Sequence, residues 1–280
     1  MHRWFVCLVL ALAYAPGLCG QEVEEIVEGV EGVEVIDDVG TTNYIEVERG
    51  KPRPIVDGVG WVMGIPSKLL LWDRRAENHD VSEATQEKVV DYLAEKELTG
   101  VKVRVNQYDP LGEWRRLREN EKVGAGWRYT VGGVYTLGYT LVPGRLFGSD
   151  WYNPYTDTIH LYSDIPALGM EQAAYAEDVH SRDRPGLYAT AQSLPVVGLQ
   201  HETKSKIAVF DYVDRNGALE EQTEAREVLY PQIGSEIGGQ AGLFFPQVMI
   251  VPKIAGAAMG HLMGIDASGK LKAKHEKAEK

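Results

Sequence analysis

Thr158-Ile159-His160-Leu161-Tyr162-Ser163-Asp164-Ile165-Pro166-Ala167-Leu168-Gly169-Met170-Glu171-Gln172-Ala173-Ala174-Tyr175-Ala176-Glu177-Asp178 is the stretch that decides the fold. Its first five residues are β-branched, aromatic or apolar and read as a strand. Ser163-Asp164-Ile165-Pro166 then caps a helix that runs to about residue 178. A further helix is expected over residues 197–213 and another over residues 218–233. The order is therefore strand, helix, connection, helix.

Upstream, Asp80 is followed three residues later by Glu83, a capping-box-like opening for a helix. Val81, Ala84, Val89, Val90 and Leu93 keep near-helical spacing, and Gly100 ends the element. Val101, Val103 and Val105 alternate with Lys102 and Arg104, which predicts a half-buried strand. Asp109-Pro110 starts another helix, with proline at its favoured first position. Leu111, Trp114 and Leu117 are its expected inner face, with Arg115 and Arg116 outward. Residues 124–148, rich in Gly, Thr, Tyr and Val, read as two strands joined by turns. Residues 151–155 read as a turn. Residues 238–264 are apolar and rich in glycine and methionine, but Pro246, Pro252, Lys253 and His261 interrupt them. A buried helix plus loop fits those interruptions better than a membrane span. The fold class predicted is α+β, a small sheet packed beside a helical half.

The ends differ in kind from this core. His2 and Arg3, an apolar run over residues 4–15, and Pro16-Gly17-Leu18-Cys19-Gly20 predict a signal peptide over residues 1–20. An uncleaved anchor is the alternative. Cys7 and Cys19 are the only two cysteines of the 280 residues, so a chain cut after Gly20 would have no disulfide and no cysteine nucleophile. Residues 21–50 read as an acidic flexible leader, with an edge strand as the other reading of Val30-Glu31-Gly32-Val33-Glu34-Val35. Residues 51–265 form the expected single globular domain and residues 266–280 a basic tail. The net charge of −12 argues against a nucleic-acid partner and against a polybasic membrane patch.

Residues 153–164, the helix after them and Gln200-His201-Glu202-Thr203-Lys204-Ser205-Lys206 together resemble the core of a gluzincin-type zinc metallopeptidase. In that family a strand precedes a helix bearing H-E-x-x-H, and a later helix supplies a glutamate as third zinc ligand. Two histidines four apart share a helix face and reach one metal, and the glutamate between them is the general base. Here the motif is degenerate. One register places Glu171 and Tyr175 at the ligand positions and Gln172 at the base position; the following Ala176-Glu177-Asp178 favours it. The other places Met170 and Ala174 at the ligand positions and Glu171 at the base. Neither has a histidine. Glu202 matches the third ligand, while His201 beside it points elsewhere. His160, His180 and His201 are the remaining candidate metal ligands.

The N-terminal signal pattern implies export, and the resemblance with its histidines missing implies a zincin-like protein without catalysis, with a binding or scaffold role toward a protein or peptide partner and no cofactor. The alternatives are an active metallohydrolase holding zinc through ligands drawn from His160, Glu171, His180, His201 and Glu202, and a cell-envelope protein held at the membrane by its apolar C-terminal region. No G-x-S-x-G elbow is present. Gly124-Ala125-Gly126 lacks the rest of a phosphate loop. Asp150, Asn153 and Asp157 lack calcium-loop spacing. Glu177 and Asp178 end a helix, where negative charge is disfavoured, so His180 or Arg182 is expected to compensate.

Overall fold

A computed structural model describes residues 30–36, 42–194, 197–242 and 250–278. The signal-peptide reading of residues 1–20, with both cysteines, lies outside them, as does the leader up to residue 29. The fold is α+β. Five strands, β1 (Val30–Ile36), β2 (Thr42–Arg49), β3 (Lys102–Val105), β4 (Trp151–Asn153) and β5 (Thr158–Leu161), form one sheet in the order β1-β2-β3-β5-β4. β2, β3 and β5 run parallel, with Val47 beside Val103 and Val103 beside Ile159; β1 and β4 close the two edges antiparallel. The acidic leader is thus corrected in part: the chain from Thr42 to Arg49 is an inner strand, and Val30–Ile36 takes the edge-strand reading.

Between β2 and β3 lie α1 (Pro54–Met63), α2 (Ile65–Leu71) and α3 (Glu83–Glu95). Ser82, rather than Asp80, caps α3 by accepting the Thr85 amide. α4 (Pro110–Glu119) opens as expected, with Asp109 accepting the Gly112 amide. α5 covers Ala125–Trp127, one wide turn at Arg128–Gly132, and Gly133–Leu141. This corrects the two strands expected there. Buried Gly132, Thr136 and Tyr139 recur at four and three residues, a helical period that overrides the β-propensity of Thr, Tyr and Val. A Cβ on Gly132 would meet Leu117 and Tyr155 within 3 Å, so α5 lies tight on α4. The short α6 (Gly144–Phe147) follows.

The helical half comprises α7 (Pro166–His180), α8 (Pro185–Gln192), α9 (Val197–Asn216), α10 (Leu219–Ala241) and α11 (Ile250–Ala278). α11 carries regular helix through the expected basic tail. Asp164 does not cap α7; its Oδ1 accepts from the Ser82 amide and from the Ser82 and Thr85 hydroxyls, tying α3 to the start of α7.

Strand side chains alternate between faces. Ile45, Val47, Val103, Val105, Ile159 and Leu161 are buried in one apolar core with Val89, Leu93, Ala173, Val209 and Leu229 from the helices. The opposite face carries Glu46, Glu48, Lys102, Arg104, Thr158 and His160. β3 was expected to be half-buried, yet its four residues are all buried, because α4 covers the polar face. Arg116 therefore turns inward, donating to the carbonyls of Gly100, Thr156 and Asp157, whereas Leu111 is exposed. These two positions depart from the expected orientation of α4, while Trp114 and Leu117 inward and Arg115 outward agree with it.

α10 and α11 approach backbone to backbone. A Cβ on Gly256 would fall 1.9 Å from the Gly234 carbonyl oxygen, and one on Gly260 would fall 2.2 Å from that of Tyr230. No described helix is long and apolar enough to cross a membrane.

Candidate functional site

The residues quoted for the metallopeptidase resemblance come together where α7, α9 and α10 meet, and a lysine lies at their centre. Lys206 is fully buried. Its Nζ donates to Glu171 Oε1 on α7 at 2.6 Å and to Glu236 on α10 at 2.9 and 3.0 Å. The Glu202 carbonyl oxygen, one turn earlier on α9, lies 3.4 Å away. Glu202 and Lys206 are four residues apart and so share a helix face; Glu171 reaches that face because α7 packs directly on α9.

Two carboxyls bond one ammonium, and the Glu202 carboxyl acts on it through space. Burial raises Glu171 to about 7, with Lys206 opposing the rise and Glu236 adding to it. Glu202 is pushed up to about 8 by burial and then by the Glu236 carboxylate. Burial works against the Lys206 charge, but Glu171, Glu236 and Glu202 more than offset it and raise its pKa. Near neutrality the ammonium is paired and the surplus negative charge is removed by holding a proton on the acids, Glu202 foremost.

This titration has a sign. Carboxyls whose folded pKa is raised bind more protons in the native state than in the unfolded chain between their ordinary value of 4.5 and about 7 to 8. Their contribution to stability is therefore greatest at the acid end of that window and falls as pH rises through it. Thermal unfolding is expected at a higher temperature near the ordinary carboxyl pKa than above the raised ones, with a shallower slope in Glu202→Gln. A slope that Glu202→Gln leaves unchanged would contradict the assignment.

The other motif positions are turned to different tasks. Gln172 Oε1 accepts the Tyr152 amide at 3.1 Å. Tyr175 is buried with its ring 4.1 Å from that of His201 and 5.5 Å from that of Tyr152. Burial and neighbouring tyrosines push its phenol well up, so it stays neutral. His201 Nδ1 faces Gln192 Oε1 at 3.3 Å. Met170 and Ala174, the ligand positions of the second register, are buried in the apolar core.

His160 lies elsewhere, on the polar face of the sheet. It is fully buried, with Nε2 3.8 Å from Glu113 Oε2. Glu113 in turn lies 3.3 Å from Arg104 Nε, and Arg104 reaches Asp109 at 3.1 Å and Glu48 at 3.5 Å. Burial raises the Glu113 carboxyl, but the facing His160 and the Arg104 guanidinium overcome this and bring it down to about 2. Burial lowers the His160 pKa, and the facing Glu113 opposes that shift. Its ring stacks on Trp151 at 4.8 Å. The cluster ties β2, β3 and β5 to α4.

His180 is in a third place. Its Nε2 is 2.8 Å from Asp157 Oδ1, which also accepts from the Tyr152 hydroxyl at 2.7 Å; Lys122 reaches Asp157 Oδ2 at 3.1 Å. These groups line a surface cleft of about 350 Å³ with Asn120, Val123 and Arg182. The expected compensation at the end of α7 is shared out. Arg182 pairs with Asp178, while Glu177 pairs with Lys96 at 3.0 Å and accepts from Tyr92.

Of the candidates, Glu171 and Glu202 thus share the Lys206 centre, while His160, His180 and His201 each have a different environment. Among the described residues no three His, Cys, Asp or Glu side chains are grouped to hold a metal ion. Lys206 and Glu236 were given no role from the sequence. The signal for Lys206 was its i+4 spacing from Glu202 on a helix; Glu236 had none, since α10 meets α9 only in the folded chain. No family model, curated protein or solved structure matches the chain.

Proposed function

We propose that this chain is an exported, non-catalytic protein of zincin-like plan, in which the Lys206 ammonium stands where a metallopeptidase would hold its cation. The supporting observation is the buried Lys206 Nζ bonded to Glu171 and Glu236 beside Glu202. An ammonium supplies the positive charge that converging carboxyls require, yet it carries no open coordination position and cannot bind and acidify a water molecule. At the base position, Gln172 has no carboxylate to accept a proton, and its oxygen is already committed to the sheet. The centre therefore joins three helices rather than turning over a substrate.

The role left to the protein is recognition or scaffolding. The Asp157–His180 cleft is an accessible concavity with mixed charge, of a size that would seat a side chain or two of a peptide partner. Elemental analysis of purified protein tests the reading. The expected result is no stoichiometric zinc in the wild type or in Glu202→Ala. One zinc per chain in the wild type, lost in Glu202→Ala, would replace this proposal with the metallohydrolase alternative.

A further inference from the structure

α11 is built inside out for a helix in water. The side against α10 carries Gly256, Ala257, Gly260, Gly264 and Ser268, all small, with the three glycines packed on the α10 backbone. The large apolar residues face away: Val251, Ile254, Met259, Leu262, Met263 and Ile265 are each more than half exposed. Helices in water place large residues between them. Small residues at the helix contact with large ones outside is the arrangement used where the surrounding medium is itself apolar.

α1 and α2 continue the same property. Ile55, Val59, Val62, Ile65, Leu69 and Trp72 follow one another at three or four residues and are exposed, Leu69 and Trp72 to 70% or more. Residues 54–72 contain two charged side chains, and both turn inward. Asp57 accepts from Arg145 and Asn106, and Lys68 donates to the carbonyls of Trp61 and Glu77. α2 meets α11 directly: the Trp72 ring stacks on His261 at 3.8 Å, and His261 Nε2 donates to the Leu70 carbonyl. In residues 250–265 only Lys253 carries an outward charge. An exposed apolar surface of this extent without charge is unusual on a soluble monomer.

Charge returns at the margins, and it is mostly basic. Exposed Arg53 and Arg74 bracket the α1–α2 stripe; after the α11 stripe Asp266 pairs with Lys270, and exposed Lys272 and Lys274 follow, on a chain of net charge −12. Residues 250–265 extend roughly 24 Å at about 1.5 Å per residue, less than the roughly 30 Å of a hydrocarbon core.

We infer that α1, α2 and α11 seat on a lipid bilayer, lying in its surface without crossing it, with Arg53, Arg74 and the α11 lysines meeting anionic phospholipid headgroups. The apolar stripes provide the insertion and the basic rim the lipid preference. The buried helix expected in residues 238–264 is, over residues 250–264, a helix buried on one side only.

Vesicle flotation of the full chain is the test, using phosphatidylcholine vesicles with and without phosphatidylglycerol. The wild type is expected to float, more so with phosphatidylglycerol. Leu69→Glu/Leu262→Glu should reduce partitioning at least about tenfold while retaining the wild-type melting temperature, since both positions are exposed. Arg53→Glu/Arg74→Glu should remove the phosphatidylglycerol preference alone. Three results would overturn the inference. One is a wild type that stays at the bottom of the gradient. Another is flotation that Leu69→Glu/Leu262→Glu leaves unchanged, which would assign it to residues 4–15. The last is a wild-type dimer in vesicle-free buffer that the same substitutions dissociate, which would give the surface to a second copy.

Discussion

Lys206→Met is expected to destabilise the protein by about 3–5 kcal/mol near neutral pH. Lys206 has no exposed side-chain surface, and its partner Glu171 has 5%. Methionine fills the volume of the stem but removes the charge to which Glu171, Glu202 and Glu236 are all referred. Three acids would then face one another in a buried space. Part of the cost would be met by protonation, so the loss should shrink on acidification. Adding Glu171→Leu should recover much of it, because the Glu236 side chain is 21% exposed and has a route to water, and an apolar pair in place of a buried ion pair is often neutral or better. Urea unfolding of the single and double variants measures this. A single variant within about 1 kcal/mol of wild type would mean that the ammonium is not the centre's organising charge.

Arg104→Met is expected to cost about as much, about 3–5 kcal/mol, for a related reason on the other side of the sheet. Arg104 and Glu113 both have no exposed surface. The guanidinium faces Glu48, Asp109 and Glu113 at once. Glu113 is the acid that suffers most, since Glu48 and Asp109 retain some access to water. With Arg104 present, Glu113 sits at about 2, below its ordinary value. Its contribution to stability is therefore present above pH 4.5 and is lost as pH falls through about 2. Without Arg104 its folded pKa should rise, since only the facing His160 and Thr156 still oppose burial, so the pH dependence from this group should weaken. Glu113→Gln in the Arg104→Met background should restore part of the loss. Equal unfolding midpoints for Arg104→Met and wild type would contradict the assignment.

Much of the fold was legible because local signals agreed with one another. The valine alternation at residues 101–105, Asp109-Pro110, and the strand-to-helix passage at residues 158–178 each became the expected element. The failures have a common cause. Residues 124–148 have β-propensity, but packing of Gly132 on α4 selects the helix. Arg104 and Arg116 were given to solvent because charged residues are seldom buried; the carboxylates and carbonyls that receive them come from segments distant in sequence. The site was half legible for the same reason. Glu171 and Glu202 could be found by pattern, and both act on Lys206 from α7 and α9. What lies between them could not, because Glu236 arrives from a third helix. The outward face of α11 was hidden too, since periodicity identifies an apolar stripe without saying which side packs.

The central claim is that a lysine charge, already in place, satisfies the carboxyls at the junction of α7, α9 and α10. Lysine-selective nitrogen-15 NMR at about pH 8, recorded before and after equimolar zinc, tests it most directly. The account predicts a slowly exchanging ammonium resonance that is absent from Lys206→Met and unmoved by zinc. A Lys206 signal that exchanges freely with water, or one that zinc displaces, would contradict it.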